Sequence, residues 1–236
     1  MLAKGLAVRL MNMNRFAVAA VCLLSLTGAG VAQRALGATA NNPATPFKDT
    51  SLLKPPAGSK VAIVEWEDLE CPACSHAFPL VHSAIKQYNI PLVRYDFPLK
   101  MHIWSHDAAV IARYIQDKVS PDLATEYRRE VFASQYSIAS KDDLHSFTVK
   151  FFNTAHKQFP FVVDPTGQFT KEVDAEEAMG ERAGLQHTPT IVVVTDHKGW
   201  TEILNTDNLY QAIDEAIAAT KNEGPEPTVR KTAAHK

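Results

Sequence analysis

The chain has 236 residues, of which 46% are apolar and 21% charged, with a formal charge of −2. That length accommodates one domain of ordinary core together with an address segment or an insertion. The near-neutral balance carries no basic stripe, which excludes nucleic acid as a partner, and no apolar run beyond the N-terminus is long enough to span a bilayer.

In chain order, Lys4, Arg9 and Arg15 form a basic region with no acid nearby, and residues 16–26 are an apolar stretch of signal-peptide length. Gly30-Val31-Ala32 is a good cleavage site and Ala38-Thr39-Ala40 a second one, so residues 1–32 read as a signal peptide. The alternative is an uncleaved membrane anchor with the same direction of export. Cys22 lies in the apolar stretch behind Val21, reads as a small hydrophobe, and leaves with the segment. Residues 33–58 read as a flexible tether, rich in Pro, Thr and Asn, with a short strand near Ser51-Leu52-Leu53 and a turn at Lys54-Pro55-Pro56-Ala57-Gly58.

The run over 61–64 is continuously apolar rather than alternating, which predicts a buried strand over 61–66. A helix follows over 75–87, with Phe78, Val81, His82 and Ile85 at helical spacing and Pro79 placed to kink it. A second strand covers 90–97. Helices are expected over 105–116, capped by Ser105; over 121–134, with Ser120 as cap and Pro121 in the first turn; over 140–152; and over 170–183, stopped by Gly184. Residues 191–195 and 200–203 predict a hairpin around Asp196-His197-Lys198-Gly199, and 207–220 a last helix. The polar tail 221–236 reads as disordered. Removing the helical block leaves a βαβ unit followed by a ββα unit.

Between the first strand and its helix stand Cys71 and Cys74, spaced Cys-x-x-Cys. Once the signal is removed they are the only cysteines left. An exported protein that uses disulfides for stability links distant segments, and a bridge closing so small a loop constrains the unfolded chain little. A redox-active pair is the stronger explanation. A zinc site needs two further ligands at suitable spacing. Only His76 is near, so no metal is expected.

The order of elements resembles the thioredoxin fold, and the helical block resembles that of the DsbA-like thiol-disulfide oxidoreductases. Cys71-Pro72-Ala73-Cys74 sits where a strand meets a helix. Pro79 matches the kink proline of such active-site helices, and Thr188-Pro189, ahead of an apolar strand, matches the cis-proline loop. Glu65 falls where the family carries a buried acid. The resemblance implies an α/β thioredoxin fold over residues 59–220, with an inserted helical domain at about 99–184 between the βαβ and ββα halves. Two departures stand out: the dipeptide is Pro-Ala where the most oxidising members often have Pro-His, and no dimerisation domain precedes the first strand, so a monomer is expected.

Cys71, at the helix N-terminus, is the expected nucleophile, because open amides and the helix dipole favour a thiolate there. Glu67, Asp68 and Glu70 oppose it, since like charge disfavours a thiolate, and they predict a mild oxidant unless they only form a solvated face. Cys74 is the expected resolving thiol. Glu65 is expected to move protons to or from Cys74; the alternative is a structural pair with a lysine. Thr188 and Pro189, with a cis bond between them, are expected to offer backbone to a substrate strand, beside Pro72 and Ala73; the alternative is an ordinary strand-start proline. His187 reads as a loop histidine.

The function expected from the resemblance is a periplasmic or otherwise exported oxidase. It would introduce disulfides into cysteine-containing exported proteins and pass electrons to a quinone-coupled membrane partner, with no cofactor. The alternatives are a reductase that keeps exported thiols reduced, or a metal- or peptide-binding module without turnover.

Overall fold

The computed structural model describes residues 47–222. The signal-peptide reading, the first part of the tether and the tail from residue 223 lie outside them. Four strands form one sheet in the order β2-β1-β3-β4. Strand β1 (Val61–Glu67) runs parallel to β2 (Leu92–Asp96) and antiparallel to β3 (Thr190–Thr195), which pairs antiparallel with β4 (Trp200–Glu202). Helix α1 (Pro72–Tyr88) connects the parallel pair, and α6 (Leu209–Asn222) closes the second half. Between β2 and β3 lie α2 (Ser105–Lys118), α3 (Pro121–Ser134), α4 (Lys141–Thr154) and α5 (Gln168–Ala183). This is the α/β thioredoxin-like fold with a helical insert.

Strand β1 is buried along its whole length because it is covered on both faces. Val61 and Ile63 pack with Val81 and Ala84 of α1 and Leu209 and Ile213 of α6. Ala62, Val64 and Trp66 point the other way, onto Leu53, Phe97 and Leu185. A third core belongs to the insert and includes Trp104, Tyr127, Phe132 and Phe152. The same core holds Leu69, Cys71, Cys74 and Phe78, so the two cysteines are packed against the inserted helices.

Local chemistry sets most helix ends where the sequence expects them. Ser120 Oγ accepts from Leu123 N–H at 3.1 Å with Pro121 in the first turn, and Ser140 Oγ accepts from Asp143 N–H at 3.1 Å. Helix α5 stops at Gly184, whose φ of 89° suits a residue without a Cβ.

Several details differ from expectation. Helix α1 begins at Pro72 rather than Ser75, because proline is favoured in a first turn where no N–H is needed. No strand forms near Ser51. Ser51 N–H bonds Asp49 Oδ1 at 2.8 Å, and Leu53 N–H bonds Thr50 C=O at 3.0 Å, so this stretch turns instead. Residues 47–58, read as part of a tether, are mostly exposed but are held to the domain at a few points. Phe47 sits edge-on to Trp200, Lys48 N–H bonds Ala183 C=O, and Leu53 is buried. The expected Ser105 cap of α2 is not made, for a reason that lies at the site.

Candidate active site

The pair sits where β1 runs out into α1. Both cysteines are free thiols, with Cys71 6% and Cys74 1% exposed. Cys71 is only slightly more exposed than Cys74, and the two differ in how burial and hydrogen bonding act on each sulfur. Cys71 is the N-cap of α1, and Pro72 supplies no N–H, so the first open amides are those of Ala73 and Cys74. Its side chain makes no full capping hydrogen bond as a thiol.

The Cys71 thiol is brought down to about 5. The main cause is the Cys74 S–H, which donates to the Cys71 sulfur; burial works against it, while the Thr188 side chain and the Cys74 and Ala73 amides help. Cys74 moves the opposite way, pushed well above the ordinary thiol range by burial and then by Cys71 itself, although Asp68 N–H reaches its sulfur at 3.4 Å. One sulfur is therefore an anion at neutral pH and the other keeps its proton.

The loop that carries Thr188 closes over the pair. The Thr188–Pro189 peptide bond is cis. As a thiol, Cys71 donates to Thr188 C=O at 3.3 Å, across 117 positions of sequence. Pro72 and Ala73 are exposed beside it, and Thr188 is buried. His187 is half exposed, its Nε2 3.9 Å from the buried Glu202 carboxylate on β4, and it forms no hydrogen bond with either thiol.

The acids ahead of Cys71 are neither a solvated face nor a source of repulsion at its sulfur. Glu67 Oε1 accepts from Arg128 Nη1 at 2.7 Å and lies 3.2 Å from Arg94 Nε. Asp68 Oδ1 accepts from Glu70 N–H, while Oδ2 meets Leu99 N–H and His102 Nδ1, each at 2.7 Å. Glu70 Oε2 accepts from the N–H groups of Trp104 and Ser105 at 2.8 and 3.0 Å. Glu70 thus caps α2 from across the site, in place of the Ser105 hydroxyl, which is buried without a partner. Each charge is engaged by groups other than the Cys71 sulfur, and none of the three acids is among the causes that set its titration.

Glu65 stands apart. It is 1% exposed, and neither carboxyl oxygen has a hydrogen bond. No lysine meets it; its cross-strand neighbour is Arg94. Burial and then the Glu67 charge push its carboxyl up to about 8, against the pull of Arg94 and Arg128. Nearby, Arg128 Nη1 and Nη2 grip both oxygens of Asp96, and Arg113 bridges Asp96 and Glu176. Three guanidiniums face Glu67, Asp96 and Glu176, so the cluster is neutral when Glu65 holds a proton. No hydrogen bond joins Glu65 to either cysteine.

Two contributors went unnoticed in the sequence. Arg128 lies in the buried stripe of α3 with Ala124, Tyr127 and Val131, and a charge in an apolar stripe was a readable signal. Gln135, whose amide reaches the active-site loop, follows α3 and carries no such signal. Among the described residues no cluster of His, Cys, Asp and Glu could hold a metal ion, and no helix is long and apolar enough to cross a membrane.

A family model described as thioredoxin, the Thioredoxin_4 group, matches residues 56–215. No curated protein matches the chain. Among solved structures it resembles BcfH of Salmonella enterica Typhimurium, with 19% identity, a TM-score of 0.56, and 72% of this chain and 76% of that one covered. It also resembles a periplasmic thioredoxin-like protein from Salmonella enterica serovar Typhimurium, with 16% identity, a TM-score of 0.53, and 69% and 87% covered. DsbA2 of Pseudomonas aeruginosa is similar at 17% identity and a TM-score of 0.50, with 68% and 91% covered. At these identities the likeness is one of fold.

Proposed function

Because the chain belongs to the Thioredoxin_4 family of DsbA-like thiol-disulfide oxidoreductases, we propose that it works as an exported oxidase, introducing disulfides into cysteine-containing proteins. The observation that carries this direction is the Cys71 thiol at about 5. A thiolate that stable favours the reduced enzyme, which makes its disulfide the stronger oxidant. It also makes Cys71 the better leaving group.

In this reading a substrate thiolate attacks the Cys71 sulfur of the Cys71–Cys74 disulfide. The enzyme's S–S bond breaks, a mixed disulfide forms at Cys71, and Cys74 departs and takes up a proton. Glu65, protonated at neutral pH, is the proposed source. The substrate's second thiolate then attacks its own sulfur in the mixed disulfide and expels Cys71 as a thiolate. Two electrons have passed to the enzyme, and a quinone-coupled membrane partner accepts them. Thr188 and Pro189, with Pro72 and Ala73, frame the approach to Cys71 and are the proposed substrate contacts. The thioredoxin-like relative described as periplasmic supports an exported setting.

Equilibrium with glutathione tests the direction. An oxidase is expected to lie well above about −200 mV, whereas a value near about −270 mV marks a reductase and overturns the proposal. Cys71→Ser is expected to abolish refolding of a reduced, disulfide-dependent test protein. Full activity in that variant would remove Cys71 from the chemistry.

A further inference from the structure

Gln135 begins the short 3-10 turn Gln135–Ser137 that follows α3. Its amide nitrogen donates to Leu69 C=O at 2.8 Å and to Cys71 C=O at 3.1 Å. Both N–H groups of one amide are thus spent on the two carbonyls that flank Glu70 in the loop leading to the nucleophile. The side chain is not needed to finish its own helix. There Ile138 N–H bonds Gln135 C=O and Ser137 Oγ bonds Ser134 C=O, and Trp104 Nε1 fixes the far side of the turn through Ile138 C=O.

We propose that Gln135 is a positioning residue for thiol-disulfide exchange, holding the active-site loop so that Cys71 stays at the helix N-terminus in its reactive orientation. The inference rests on the oxidoreductase reading of the Cys71–Cys74 pair. The Cys71 carbonyl accepts from two donors, Ser75 N–H at 3.2 Å and the Gln135 amide. Rotation about the Cys71 ψ angle, now 120°, would break both. That rotation would also change how the sulfur faces the amides of Ala73 and Cys74. At the other end of the loop Cys71 N–H bonds Asp68 C=O, and Gln135 holds the Leu69 carbonyl between. A second tie, from Ser75 Oγ to Phe132 C=O, joins the first turn of α1 to the end of α3 close to Gln135. The insert therefore holds the nucleophile's loop from one side, and the Gln135 amide is its hydrogen bond to the Cys71 carbonyl.

The test is the titration of the Cys71 thiolate by its ultraviolet absorbance, with the glutathione equilibrium measured on the same proteins. Gln135→Met keeps the length and loses the donors. Its midpoint is expected to rise by about one pH unit, a tenfold loss of thiolate below the midpoint, with a glutathione equilibrium displaced toward a weaker oxidant. Gln135→Glu sets a carboxylate against the two carbonyls and is expected to rise further. Gln135→Lys keeps a donor and is expected to stay at or below the wild-type midpoint. Wild-type values in the Met and Glu variants would overturn the proposal. So would a Lys variant that rises as much as Met, or loss of fold in the Met variant while Lys folds, which would make Gln135 a structural support. Failure of the oxidase reading would show instead in the wild-type equilibrium.

Discussion

The interior of strand β1 and its exit into the following loop treat their carboxylates in opposite ways. Inside the strand, Glu65 is buried with no hydrogen bond and keeps its proton to about pH 8. At the strand's last residue and in the loop that follows, Glu67, Asp68 and Glu70 are engaged by Arg128, His102 and the amides that open α2. The engaged acids join the two parts of the fold, and the unengaged one is left able to titrate. Proximity along the chain says little about charge at a sulfur. What decides is where each carboxylate points and what neutralises it.

Three perturbations separate the two regions. The largest effect is expected from Arg128→Met, which leaves Glu67 and Asp96 buried with less compensation. Removing one partner from a buried ion cluster costs about 3–5 kcal/mol, and denaturant unfolding should show it as a lower midpoint. An unchanged midpoint would mean that the acids are not held by this residue.

Glu65→Gln comes next and acts through pH. The folded carboxyl holds its proton up to about pH 8, while the unfolded chain releases it near 4.5. Native protein therefore binds the extra proton between those values, and stability falls as pH rises through that window. The wild type is expected to lose roughly 3–4 kcal/mol between pH 5 and 8 from this group, and the Gln variant should lack that slope. Parallel stability profiles for the two proteins would show that Glu65 is ionised throughout.

The smallest effect belongs to Glu70. Glu70→Ala removes the cap of α2 and is expected to cost about 1 kcal/mol. Glu70→Gln keeps an acceptor and removes the charge, and the Cys71 thiol should still titrate near 5. A clear fall in that midpoint would restore the view that this carboxylate repels the thiolate.

The sequence made legible what depends on local pattern. The continuous apolar run that opens β1, the serine caps of α3 and α4, the two thiols at a helix start and the Thr188–Pro189 pair can all be read within a few residues of themselves. The rest comes from contacts across the fold. Nothing near Glu70 announces that its partners are the amides of Trp104 and Ser105, and nothing near Leu69 announces Gln135. Ser105 looked like a cap by residue type alone, but the carboxylate approaching from the active-site loop supplies that function. The stretch 47–53 looked like tether because its composition is polar, yet Phe47 and Leu53 are enough to bring it onto the sheet.

The unequal thiols also fix how protons accompany electrons. Between pH 5 and the much higher pH at which Cys74 ionises, the reduced pair carries one thiolate and one thiol. Two electrons then travel with one proton, and the midpoint potential falls by about 30 mV per pH unit. Below pH 5 both sulfurs are protonated, two protons accompany the electrons, and the slope doubles to about 59 mV. Acidification would raise the potential of such a couple less steeply than that of an ordinary dithiol, leaving the driving force of this one better insulated from the pH of its surroundings.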